Sequence, residues 1–253
     1  MKYLSPLEQF EILVVYPISF FGVIDISLTN ALIYLLIIFL CIFFLHFLGF
    51  YNIILGQNNV FSYLLEFFYL FIFGMIRQQS GLIGQNYFPY FFFTFWFILL
   101  ANLLGLLPYG FTVTGHIIMT FFLAFSFNLS FFLYGIANHG LKFFMLFVPK
   151  GSPAPLLPLL VIIELLSYLL RTLSLSIRLF ANMMAGHTLM FILSSFLLSF
   201  LSLNIIIGLF PAFMVLLLLF CIFVLEVGIA FLQAYVFTIL LSIYLKDGVE
   251  PAH

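Results

Sequence analysis

The sequence predicts an all-α integral membrane protein with about five membrane-crossing helices, one interfacial helix and a closing hairpin of two long, strongly tilted helices. Hydrophobic residues make up 66% of its 253 residues and charged residues only 6%, whereas a soluble domain is about 45–50% apolar and about 25% charged. Apolar runs long enough to cross a bilayer fill most of the chain. This composition excludes a soluble enzyme, a disordered tail and a nucleic-acid binder, since seven Lys and Arg residues form no basic patch.

The first half of the chain contains the predicted interfacial helix and three crossings. A bilayer core of about 30 Å needs about 20 apolar residues per helical crossing. Three segments meet that length: Leu28–Phe50, Phe88–Leu107 and Ile117–Ala137. Between the first two lies Val60–Ile83, which is interrupted by Glu66 and Arg77. Because its apolar part, residues 67–76, is too short to span, we expect this segment to lie in the membrane interface.

The last third of the chain predicts a helical hairpin. Leu159–Leu203 has no internal proline and is about 67 Å long as a helix. Dividing it at its polar middle, Arg171–His187, would leave flanks too short to span, so we expect one crossing that is steeply tilted or bent. Asn204–Gly208 forms the turn. Leu209–Lys246 is the second long helix, with Pro211 in its first turn, where proline is tolerated.

These elements form one membrane domain, residues 1–253. It divides into an N-terminal outer segment (1–27), the first helices (28–158), the tilted hairpin (159–246) and a C-terminal tail (247–253). Five crossings place four basic residues on one side: Arg77, Lys142, Lys150 and Lys246. Only Lys2 lies on the other side. The positive-inside rule therefore predicts that the N-terminus faces outward and the C-terminus inward.

Five ionisable residues interrupt the apolar sequence of the hairpin: Glu164, Arg171, Arg178, His187 and Glu226. A charge at the bilayer centre costs roughly 2.5–3.5 kcal/mol on insertion scales, and such residues usually mark an ion or proton path. At about 100° per residue, four polar residues lie within about 40° of one another on a helix and form one polar stripe: Glu164, Arg171, Arg178 and Asn182. Gln233 follows Glu226 by two turns, on the same face.

Structural explanations compete with the functional one for some of these residues. Glu164 near a helix start is also a common dipole partner. Arg171 is expected to snorkel or to pair with Glu164, and Asn182 and Gln233 to form polar contacts between helices. Arg178 is too deep to reach water from an isolated helix, which favours a function. A titratable His187–Glu226 pair on neighbouring helices favours proton transfer.

Two segments of the hairpin resemble a known family. Ile177–His187 reads IRLFANMMAGH and Leu225–Phe237 reads LEVGIAFLQAYVF, which resemble the signature helices of subunit a of the F-type ATP synthase. Tyr87–His116 is similar to the earlier hairpin of that family, and the SPLEQF sequence that ends at Phe10 resembles mitochondrial forms from plants, algae and protists. Bacterial members typically carry Glu where His187 stands and His where Glu226 stands, so both residues have the mitochondrial identity.

The resemblance implies a stator in a rotary motor. Arg178 would be the essential arginine that separates two offset proton half-channels, and His187 with Glu226 would relay protons in the outer one. Glu164 would belong to the inner one, while Asn182 and Gln233 would orient Arg178 or line its surroundings. Structural support is expected from Arg171, Asn102 and His116. No catalytic centre, cofactor or metal site is expected in this subunit.

The same resemblance predicts the partners and the location. The partners would be the ring of proteolipid c subunits, the peripheral stalk and other membrane subunits of the synthase, together with protons and the lipid bilayer. The location would be the mitochondrial inner membrane, which a multi-pass chain would cross.

Cys41 and Cys221 each lie inside an apolar run, which favours lipid-buried thiols over a disulfide or a metal site.

Two alternatives from other classes remain at this point. A membrane subunit of a respiratory complex that binds haem would need paired axial histidines on facing helices, whereas His46, His116, His139 and His187 lie on separate segments. A secondary transporter of the inverted-repeat kind would show internal symmetry, and no repeat is visible in the sequence.

Overall fold

Six α-helices dominate the computed structural model, in which we describe residues 7–17, 19–20, 24–25, 27–54, 60–107, 110–148, 156–202 and 205–249. The helices are α1 (Asn30–Ile54), α2 (Val60–Gly84), α3 (Phe88–Gly105), α4 (Ile117–His139), α5 (Leu157–Leu201) and α6 (Ile205–Val249). Within the described ranges, all except α2 belong to the five segments that are long and apolar enough to cross a membrane. The predicted class, an all-α membrane protein, is confirmed.

The N-terminal segment contains short β-structure that the sequence did not indicate. Strand β1 (Val14–Tyr16) pairs antiparallel with β4 (Leu28–Thr29), and β2 (Ser19–Phe20) pairs with β3 (Ile24–Asp25). The first predicted crossing, Leu28–Phe50, therefore begins two residues late, at Asn30. Thr29 caps this start, because its Oγ1 accepts a hydrogen bond from the amide of Leu32 at 3.3 Å.

Helix α2 covers the segment predicted to lie in the interface and is not one of the five membrane-span candidates. The helix is interrupted at Gly81, which has a φ of 64°, a conformation that favours glycine. One face of α2 is buried by Ile72 and Ile76. On this face Met75 Sδ accepts a hydrogen bond from Thr238 Oγ1 of α6 at 3.8 Å.

The core lies where α3 meets α6 and α4. Its side chains are mostly aromatic: Phe91, Phe95 and Trp96 of α3 pack in one cluster with Phe237 and Leu241 of α6 and Phe131 of α4. The rings of Phe91 and Phe131 stack with centroids 6.1 Å apart, and Phe127 of α4 meets Phe237 edge to face at 6.0 Å. These contacts hold α6 against α3 and α4 and so position the α5–α6 hairpin.

Two 45-residue helices, α5 and α6, form the predicted hairpin. Two details of the prediction are wrong. Pro211 lies inside α6 and not in its first turn, because the apolar residues before it extend the helix back to Ile205. Asp247 belongs to α6, which continues to Val249, so the helix includes the start of the predicted tail. Of the predicted turn Asn204–Gly208, residues 205–208 belong to α6. Residues 203–204 and 250–253 lie outside the described residues.

Contacts between α5 and α6 define the register of the hairpin. Gly186 of α5 lies against Glu226 of α6, and the Tyr168 ring of α5 lies 5.9 Å from the Tyr244 ring of α6. The step from Tyr168 to Gly186 equals the step from Glu226 to Tyr244, as antiparallel helices with one rise per residue require. Continued between these contacts, the register places Arg178 level with Ala234.

Candidate functional site

His187 and Glu226 form a buried titratable pair between α5 and α6. His187 is 9% exposed and Glu226 is 7% exposed. Both line one cavity of about 330 Å³, together with Asn182 and Gly186. Among the residues that the structure describes, His187 Nε2 and both carboxylate oxygens of Glu226 have no hydrogen-bond partner. The pair therefore has free donor and acceptor atoms inside the protein, the requirement for accepting and releasing a proton.

Gly186 makes room for the Glu226 carboxylate. A Cβ added at Gly186 would overlap with Glu226 Oε1 and lie 2.8 Å from its Cδ, so a larger residue at this position would displace the carboxylate. Because Gly186 directly precedes His187 in α5, the carboxylate is held against the same turn of the helix that carries the imidazole. The small residue thus brings the two titratable groups into one cavity.

Arg178 lies nine residues before His187 on α5 and has an exposed side chain. It forms no hydrogen bond and no ion pair with the described part of the chain, and a permanently charged guanidinium is therefore presented on the surface of the hairpin. The register places Arg178 level with Ala234, which is fully buried, and Gln233 adjoins this position with 9% exposure.

Arg171 pairs across the hairpin and not along its own helix. Its Nη1 lies 3.6 Å from Oδ2 of Asp247 on α6, and its guanidinium lies 5.9 Å from the centre of the Tyr244 ring. The expected pairing with Glu164 is wrong, because the α5–α6 register brings Asp247 within reach of the arginine. Glu164 itself is exposed, near the start of α5.

The remaining predicted residues lie in two places. One lines the cavity, and the others lie at or near the connection from α3 to α4, which comprises residues 106–116. Asn182 lines the His187–Glu226 cavity. Asn102 is fully buried, and its Oδ1 accepts a hydrogen bond from Thr114 Oγ1 at 3.0 Å. His116 stacks on Phe111 with ring centroids 5.2 Å apart, and burial lowers the pKa of its imidazole.

Two buried polar contacts join α4 to α5, and the sequence analysis missed both. Asn128 Nδ2 donates a hydrogen bond to Thr172 Oγ1, and the hydroxyls of Thr120 and Ser176 lie 3.2 Å apart. Polar side chains in apolar helices were the available signal, since such groups need partners away from water. These contacts fix the face of α5 that packs on α4, and Arg178 consequently remains exposed.

The described residues hold no group of three or more His, Cys, Asp or Glu side chains arranged to bind a metal ion. Cys41 and Cys221 are free thiols, the first half-buried and the second exposed. The site thus consists of two titratable groups that line one cavity between α5 and α6. Arg178 lies nine residues before His187 on α5 and has no ion-pair partner among the described residues.

Known proteins resemble the chain over nearly its whole length. Residues 31–246 match the family model of the ATP synthase A chain. The ATP synthase subunit a of Acanthamoeba castellanii is 47% identical over 252 residues, which cover 98% of this chain and 99% of that protein. The subunits a of Chondrus crispus, over 97% of this chain and 96% of that one, and of Pelagibacter ubique, over 98% and 99%, are each 44% identical.

These similarities select one of the classes that the sequence analysis left open. Neither a haem-binding respiratory subunit nor a secondary transporter agrees with a match of this extent. The chain belongs to the family of ATP synthase subunit a, and ATP synthesis and proton transport follow from that membership.

Proposed function

We propose that this chain is the stator of the membrane sector, which forms two offset proton half-channels against a ring of c subunits and couples proton flow to rotary ATP synthesis. The observation that carries the proposal is the division of the α5–α6 hairpin into two chemical parts. Within the described part of the chain, the buried pair of His187 and Glu226 has polar atoms without a hydrogen-bond partner, while Arg178 presents a charge without an ion-pair partner on the outside of the same hairpin.

The buried pair supports the relay in the outer half-channel. A proton that enters the cavity would be accepted by His187 or by Glu226, held by the pair, and passed to a carboxylate of the ring. Neighbouring groups of this kind can exchange a proton because each has an acceptor form near neutral pH. Asn182, which lines the same cavity, would orient the pair or the nearby Arg178.

Arg178 supports the separation of the two half-channels. A fixed positive charge favours the ionised form of a ring carboxylate that passes it and repels a proton that would move directly from one half-channel to the other. Glu164, exposed near the start of α5, would accept the released proton in the inner half-channel. Gln233 would line the surroundings of Arg178, and Arg171, Asn102 and His116 would support the site structurally.

The chain itself would have no catalytic centre, since the chemistry of ATP would occur in other subunits of the complex. Its partners would be the c subunits, the peripheral stalk and other membrane subunits of the synthase. It would lie in the mitochondrial inner membrane, in agreement with the mitochondrial identity of His187 and Glu226. The single membrane domain with its outer segment (1–27), first helices (28–158) and proton-path hairpin (159–246) belongs to the same proposal.

Replacement of the exposed arginine tests this function. Arg178→Ala in the intact ATP synthase should abolish ATP-driven proton pumping and ATP synthesis while the complex still assembles. Arg178→Lys should not restore them, because lysine lacks the planar, delocalised guanidinium fork of arginine and loses its proton more readily in apolar surroundings. Arg77→Ala is the matched control, since it removes an exposed arginine from α2 and should keep the coupled activity. Normal coupled synthesis in a fully assembled Arg178→Ala complex would overturn the proposal.

A further inference from the structure

Phe10 is buried within an exposed N-terminal segment. Its side chain is 8% exposed, whereas Leu7 and Leu13 on either side are 54% and 62% exposed. Phe10 ends a short 3₁₀ helix, Glu8–Phe10, so the chain turns at this point and directs one ring inward. The apolar ring of Phe10 anchors the segment at this position, because its burial removes apolar surface from water.

The Phe10 ring packs between α5 and the connection from α3 to α4. Its centroid lies 6.2 Å from that of the His187 imidazole, with the rings nearly perpendicular at 86°. On another side, a Cβ added at Gly115 would lie 3.1 Å from Phe10 Cε1, so the ring rests on this glycine. Phe10 does not line the cavity that His187 shares with Glu226. The ring therefore covers a different part of the imidazole.

Polar atoms collect around Gly115, which contacts the Phe10 ring. A Cβ added at Gly115 would also touch Thr112 Oγ1, which is buried. Thr112 Oγ1, Asn102 Nδ2 and His116 Nε2 have no hydrogen-bond partner among the residues that the structure describes. Buried polar atoms of this kind attract water. Phe10 thus contacts both His187 and Gly115, and Gly115 adjoins a polar cluster, defined here as Asn102, Thr112, Thr114 and His116.

We propose that Phe10 is a positioning residue that closes the side of His187 facing the polar cluster, so that water from the cluster does not reach the imidazole freely. An aromatic ring at a constriction excludes water because it offers no hydrogen bonds. Exchange of protons between the polar cluster and His187 would then depend on displacement of this ring. The inference rests on the proposed function, because it assigns Phe10 a role at the proton-accepting pair.

Thiol accessibility tests the barrier directly in the intact complex. The background chain carries Cys41→Ser and Cys221→Ser, and His187→Cys provides the thiol whose labelling rate is measured. A second chain with Ser202→Cys identifies the membrane face from which a charged methanethiosulfonate reaches the protein. The reagent is then added to that face. Phe10→Ala should raise the labelling rate of His187→Cys by about tenfold or more, because removal of the ring leaves room for water. Phe10→Leu, which retains apolar volume, and Leu13→Ala, an exposed control in the same segment, should leave the rate near that of the parent.

The labelling rate of Ser202→Cys should be the same in all these chains, since that residue lies at the end of α5, away from Phe10. An equal His187→Cys rate in the parent and in the Phe10→Ala variant would overturn the proposal, and so would an equal rise at both reporters. If Phe10→Ala prevents assembly, Phe10→Val is measured by the same criterion. With His187 in place, Phe10→Leu should also retain more coupled ATP synthesis than Phe10→Ala.

The outcome separates this inference from the proposed function. Labelling measures access of water to position 187 and needs no proton flow, so it gives a result even if Arg178→Ala leaves synthesis normal. Conversely, loss of coupling in Arg178→Ala together with an unchanged labelling rate would retain the stator function and reject the role of Phe10.

Discussion

The carboxylate of Glu226 on α6 lies directly against Gly186 of α5, the residue that precedes His187. This contact joins two helices at the point where both carry a titratable group inside the membrane-spanning part of the protein. Two side chains that exchange a proton between helices need the helices to approach closely, and a small residue such as Gly186 allows this approach. The glycine is therefore as much a part of the arrangement as the two groups that titrate.

Gly186→Ala should slow proton-driven turnover and lower the stability of the hairpin. The added methyl group overlaps with the Glu226 carboxylate, and overpacking of this kind costs about 1–3 kcal/mol. Gly228→Ala on α6 is the control, because nothing lies within 4 Å of its added Cβ. The control should retain parental ATP-driven pumping. Pumping rates per assembled complex distinguish the two variants, and equal rates would contradict the importance of the contact.

Exchanging His187 and Glu226 should preserve more function than losing either one. His187→Ala or Glu226→Ala alone should slow turnover without uncoupling the complex, since Arg178 still separates the half-channels. His187→Glu combined with Glu226→His keeps one acid and one imidazole in the same cavity. The check is a double-mutant cycle on pumping rates with the two exchange substitutions made singly and together. Additive losses in well-assembled complexes would mean that the residues do not act as a pair.

Breaking the Arg171–Asp247 ion pair should destabilise the α5–α6 hairpin. Asp247→Asn leaves the arginine without its charged partner, and Arg171→Gln does the same to the aspartate. Since both side chains are partly exposed, at 34% and 26%, we expect a loss of about 1 kcal/mol. The thermal midpoint of the purified complex measures it. The double variant should lose less than the sum of the single losses, whereas full additivity would show that the contact contributes nothing.

Labelling from each side of sealed vesicles tests the orientation of the chain. The distribution of Lys and Arg predicts that Ser152 and His253, which both lie outside the described residues, face the inner side. Single cysteines at these positions should react with an impermeant reagent added to that side. Reaction of both from the outer side would reverse the assignment of the inner and outer half-channels.

The sequence by itself determined the class of the fold and the position of the polar groups along it. Lipid imposes a local rule, because each crossing helix needs its own apolar run and satisfies its own backbone hydrogen bonds. For this reason the five spans and the closing hairpin of two long helices were predictable from hydropathy and helical length. The family motif added the expected roles of Arg178 and the pair.

Only the tertiary structure decided which side chains meet. Arg171 reaches Asp247 because the two helices pack with one rotation and register, and helical spacing within α5 alone favoured Glu164. The contact of Phe10 with His187 and the pairing of Asn128 with Thr172 join residues that are far apart in sequence. Such contacts depend on how the helices rotate and cross, which packing of the aromatic core determines. Local patterns in the sequence contain no measure of that rotation.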